Sequence, residues 1–73
     1  MTISKGPVSN CNDCLPQTIY EITGATNRPP GMTTHLLICL GYDDMKLQIA
    51  SDDTLNLYYR TFYQNTWKAW KAV

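Results

Sequence analysis

Four residues in the first forty positions have the types and spacing to hold a metal ion: Cys11-x-x-Cys14 and His35-x-x-x-Cys39. Three thiolates and an imidazole would make a four-ligand structural zinc set. The spacing argues against it. His35 and Cys39 fall in an apolar strand, on one face but about 13 Å apart at strand rise, too far to clamp one tetrahedral ion. Cys11-x-x-Cys14 also lacks the βαβ setting of a redox pair. Three cysteines cannot pair fully within one chain, and residues 1–6 lack the apolar core of a secretory signal. The expectation is therefore free thiols in a reducing cytosol, with Cys39 a small buried hydrophobe. No metal and no cofactor are expected.

Catalytic constellations fare no better. The chain has one histidine and no nucleophile elbow, so a nucleophile, base and orienting third group cannot be assembled. Asp43, Asp44, Asp52 and Asp53 come as adjacent pairs in turns, where aspartate serves backbone hydrogen bonding. They lack both the alternating spacing of a calcium loop and the facing arrangement of a glycosidase pair. The chain is not expected to be an enzyme. Six basic and six acidic residues cancel, which gives no basis for phosphate neutralisation on nucleic acid. The longest apolar run, residues 36–40, is far short of the roughly 20 residues a membrane-spanning helix needs, so no membrane insertion is expected.

What remains is aromatic. Both tryptophans, three of the five tyrosines, the only phenylalanine and three of the six basic residues lie within residues 58–73. Tyr58, Tyr59, Trp67 and Trp70 could stack on the C–H faces of sugars, with Asp, Asn and Arg supplying hydrogen bonds. The favoured reading is instead a structural core of Tyr20, Tyr58, Arg60, Trp67 and Trp70. Arg60 packs against the rings there and holds a closing hairpin.

The elements that must position these residues are short strands punctuated by turn formers. Residues 1–14 read as a flexible lead or linker and residues 15–73 as one domain. Strands are expected over residues 18–23, 36–40, 45–49 and 57–63. Residues 24–31, with Asn27-Arg28-Pro29-Pro30-Gly31, form a loop that no helix or central strand can cross. Residues 41–44, 51–54 and 64–66 read as turns. In the fourth strand Tyr58, Arg60 and Phe62 share one face, and Leu57, Tyr59 and Tyr63 the other. Residues 67–73 admit a short amphipathic helix, but seven residues are too few for one, and a hairpin strand is favoured. The expected fold class is all-β: a small antiparallel sheet of about five short strands with long loops. A strand apolar on both faces, as residues 36–40 are, must be covered on both. The second cover is a loop, a terminal segment or another subunit, with another subunit favoured.

In order along the chain stand Ile19-Tyr20-Glu21-Ile22-Thr23, Ala25-Thr26-Asn27-Arg28-Pro29-Pro30-Gly31, Leu36-Leu37-Ile38, Leu47-Gln48-Ile49, Tyr58-Tyr59-Arg60 and Trp67-Lys68-Ala69-Trp70. Together they resemble the pyocin-knob domain of bacteriophage and R-type pyocin tail fibres and tailspikes, over residues 15–73. Such domains often carry Gly just before the first aromatic strand, where this chain has Gln17-Thr18. They often carry Asn-Gly in the last hairpin, where it has Gln64-Asn65-Thr66. Both departures bear on turns, not on the core.

The resemblance implies a non-catalytic virion module, made in the bacterial host cytoplasm and assembled as a homotrimer with other fibre domains, that contributes to attachment at the cell surface. A stand-alone carbohydrate-binding module is the alternative, and a zinc-stabilised protein-interaction minidomain a third. If a bacterial surface polysaccharide is bound, the expected contacts are Tyr42, Asp43 and Asn56, a ring beside hydrogen-bonding side chains on exposed loops.

Overall fold

The computed structural model describes residues 2–4, 9–22, 25–31, 36–53 and 56–73. Among these residues seven strands form one sheet: β1 (Thr2–Ser4), β2 (Thr18–Glu21), β3 (Leu36–Tyr42), β4 (Met45–Ser51), β5 (Leu57–Tyr63), β6 (Thr66–Trp67) and β7 (Lys71–Ala72). β1 to β6 lie side by side in chain order, and β7 joins β6 along the outer side of β5. All pairings are antiparallel except β1 with β2. The fold is mainly β, and among the described residues no helix is long and apolar enough to cross a membrane.

The β3–β4–β5 meander follows from period-two patterning and two compact connections, and β5 keeps the predicted bounds and faces. The chain after residue 66 is a strand interrupted at residues 68–70, both halves of which bond to β5. The interruption lets Trp67 and Trp70 lie on the same side of β5. Residues 2–4 and 9–14, expected within a flexible lead, are placed in the fold instead. Thr2–Ser4 pairs with β2, and a 3-10 turn over Cys11–Asp13, capped by Asn10, brings Cys11 and Cys14 into the core. Reciprocal backbone bonds between Thr26 and residues 9 and 11 clip this segment to the 25–31 loop. Burial of two thiols and a matched backbone partner outweigh the polar composition that suggested a free lead.

The sheet's two faces differ sharply. On one lie Thr18, Tyr20, Leu37, Cys39, Gln48, Ala50 and Arg60, all buried. On the other lie Ile19, Ile38, Leu40, Leu47, Ile49 and Tyr59, flanked by Leu36, Tyr42, Met45, Leu57 and Tyr63. Every side chain of this second face retains exposure. In β4 the usual arrangement is reversed: Gln48 faces the core, whereas Leu47 and Ile49 face outward.

Left-handed backbone occurs at Gln17 (φ 57°), Asn27 (φ 60°), Gln64 (φ 50°) and Asn65 (φ 62°). Two successive positive φ angles at Gln64 and Asn65 suit a type I′ hairpin, which favours Asn-Gly. Asn65→Gly is expected to raise stability by about 0.5 kcal/mol, because glycine removes the left-handed penalty. Urea midpoints at constant m-value check this. Gly41, at φ 121°, is the opposite case: a Cβ there meets the Met45 carbonyl oxygen. Gly41→Ala is expected to cost about 1–3 kcal/mol by the same assay.

Candidate functional site

Arg60, in the middle of β5, is 5 % exposed. Its neighbour across the ladder is Gln48, whose Oε1 accepts from Arg60 Nε at 2.8 Å. Gln48 Nε2 donates to the Cys11 carbonyl at 2.6 Å, and Arg60 Nη2 donates to Asn12 Oδ1 at 2.8 Å. The guanidinium carbon lies 3.9 Å from the centroid of the Trp67 ring and 4.5 Å from that of Trp70. Trp70 Nε1 in turn donates to the Asn27 carbonyl at 2.8 Å, tying the C-terminal strand to the Pro29–Pro30 loop. A planar cation between indole rings is a favourable electrostatic contact. Phe62 extends the stack, with its centroid 4.8 Å from that of Trp67.

Beside this network opens a cleft of about 480 Å³ whose walls include Asn12, Arg28, Arg60, Trp67, Lys68 and Trp70. Its size falls in the range of small-molecule sites, and among the described residues its lining holds three cations and no carboxylate. A smaller, almost wholly apolar groove lies at the β3–β4 turn end of the sheet, at Tyr42, Met45 and Phe62.

The expected structural set is placed as follows. Tyr20 and Arg60 are buried, and the Tyr20 hydroxyl accepts from Leu15 N at 2.8 Å. Tyr58, Trp67 and Trp70 are half-buried, Trp70 packing against the core cluster. The expected glycan contacts do not come together. Tyr42, 74 % exposed, and Asp43 sit at the β3–β4 turn. Asn56 stands at the opposite end of the meander, about 20 Å away at strand rise. Asn56 is also engaged with Asp52, donating from its backbone N and from Nδ2 and accepting from Asp52 N, which closes the β4–β5 connection. One saccharide unit cannot touch both ends. Asn12, Gln48 and the Arg28–Lys68 pair of cleft walls were missed by sequence reasoning. The available signal was Gln48, a polar residue on the strand face opposite Leu47 and Ile49 and hence in need of a buried partner.

Cys11, Cys14 and Cys39 all lie in one core cluster, and Cys39 Sγ approaches the Cys14 carbonyl at 3.9 Å. Burial pushes all three thiols up, with Cys14 reaching about 12 through desolvation and the neighbouring Cys11 and Cys39. Among the described residues no group of three histidine, cysteine or carboxylate side chains is placed to hold a metal ion; His35 lies outside those residues. The thiols are expected to resist iodoacetamide at pH 8 in the folded protein and to react fully in denaturant. Their raised values also set a pH trend. Stability is intact below about 9 and declines toward 12, because the unfolded chain loses these protons first. Urea midpoints at pH 7 and pH 10 check the sign.

Comparison of the chain with family models, with curated proteins and with solved structures gives no match.

Proposed function

We propose that this chain is a non-catalytic structural and adhesive module of a bacteriophage or pyocin tail fibre or tailspike, pyocin-knob-like, that assembles as a homotrimer and contributes to attachment at the bacterial surface. The observation that carries the reading is convergence on Arg60. Residues from three separated motifs of the resemblance meet there, Gln48, Arg60 itself and the Trp67–Trp70 pair, and Trp70 joins them to a fourth through the Asn27 carbonyl of the Ala-Thr-Asn-x-Pro loop. A second support comes from the departures. Gln17 stands where such domains often have Gly and the Gln64-Asn65-Thr66 turn where they often have Asn-Gly, and Gln17, Gln64 and Asn65 all adopt left-handed backbone.

The trimeric half of the proposal rests on the open sheet face. Ile19, Ile38, Leu40, Leu47, Ile49 and Tyr59 form an apolar surface that a chain of 73 residues does not cover with its own described residues. Small domains bury too little surface to spare such a face, and association between copies restores the deficit. The adhesive half is tested on cells. The fluorescently labelled protein is expected to bind bacteria, and Tyr42→Ala, at the exposed β3–β4 turn, to weaken binding without changing the melting temperature. A folded, trimeric protein that binds no panel of bacterial surfaces contradicts the adhesive role.

A further inference from the structure

The Arg60 guanidinium is a buried cation with no carboxylate partner among the described residues. Arginine offers five N–H donors. Two of them, on Nε and Nη2, are used on neutral amide oxygens, which leaves three on Nη1 and Nη2 without a bond inside the described fold. Burying a full charge against neutral acceptors is costly, and the indole rings offset only part of that cost. The same guanidinium forms part of the wall of the 480 Å³ cleft, whose lining among the described residues also includes Arg28 and Lys68 and no carboxylate. Trp67 and Trp70 supply the apolar surface of that wall. A cleft of this kind complements a ligand that is anionic at one point and apolar on one face.

We propose that the cleft binds the oxyanion of an acidic saccharide. The carboxylate or phosphate accepts from the unused N–H groups of Arg60 in the fork geometry that suits both anions, and the sugar ring packs on a tryptophan. The choice of a saccharide rests on the attachment reading; the choice of an anion rests on the cleft. This site is separate from the Tyr42 turn, which lines a different groove.

Tryptophan emission of the intact chain, titrated with oligogalacturonate, with a hexose 6-phosphate and with a neutral hexose oligomer, tests the proposal. Saturable binding of at least one acidic probe is expected, and the probe that binds tells carboxylate from phosphate. The neutral oligomer is expected to leave the emission unchanged. Arg60 also holds the fold, so the variant used is Lys68→Glu, on an exposed wall of the cleft. It is expected to keep the parental melting temperature and to weaken acidic-probe binding about tenfold, with strong salt dependence. Equal binding of the neutral oligomer, no binding of either acidic probe, or an affinity unmoved by Lys68→Glu would each overturn the anion site. A protein that attaches to cells yet binds neither acidic probe sinks this inference and spares the attachment reading. One that binds an acidic probe but no cells does the reverse.

Discussion

Arg60→Ala is expected to lower stability by about 4 kcal/mol, enough to leave much of the chain unfolded at 37 °C. The substitution removes the donor from two amide oxygens, Gln48 Oε1 and Asn12 Oδ1, and leaves the first of them fully buried. It also empties the space between Trp67 and Trp70, whose rings lie 3.9 and 4.5 Å from the guanidinium carbon. Each unsatisfied buried acceptor costs about 1–3 kcal/mol, and each lost cation–π contact about 0.5–2 kcal/mol. Arg60→Met, which refills the space without the donors, is expected to lose less than Ala. That ordering, read from thermal melts, separates the packing contribution from the hydrogen-bonding one. A melting temperature for Arg60→Ala equal to the parent's removes Arg60 from the centre of the fold.

Trp70→Ala is the second large effect, expected at about 3 kcal/mol. Truncating a large aromatic typically costs about 3–5 kcal/mol in a core, and Trp70 is only half-buried, which places it at the low end. It also breaks the bond from Nε1 to the Asn27 carbonyl, the link that holds the 25–31 loop against the last strand. Trp70→Phe loses the donor but keeps part of the aromatic surface, so it should fall between parent and Ala. Hydrogen exchange at residues 25–27 should accelerate in both variants. A Trp70→Ala protein that melts like the parent but loses adhesion makes Trp70 a surface contact instead of a packing residue.

The meander was legible because its signals are local. Alternation fixed β5 residue by residue, and turn formers bracketed β3 and β4. The contribution of residues 9–14 was not legible, since its partners lie far away in the chain. Cys11 meets Gln48 across 37 positions and Asn12 meets Arg60 across 48, and neither pairing leaves a periodic trace. The aromatic cluster was anticipated around Arg60, but the polar half of it, Asn12 and Gln48, was not. The proposed glycan set failed for a related reason. Tyr42 and Asn56 both sit in turns of suitable chemistry, but successive turns of a meander fall at opposite ends of the sheet. Tyr42 and Asp43 stay together; Asn56 serves its own turn.

In β4 the apolar residues Leu47 and Ile49 were given to the open face and Gln48 to the core, an inversion that a solitary domain does not tolerate cheaply. The inward position is explained by the Arg60 network; the outward one would be covered by the proposed association between copies. Sedimentation equilibrium of the chain tests that association directly. The account predicts a trimer of about 25 kDa, three times the 8.3 kDa chain, dissociating when Ile49→Asp places a charge on the open face. A folded monomer of 8.3 kDa across the micromolar range would contradict it.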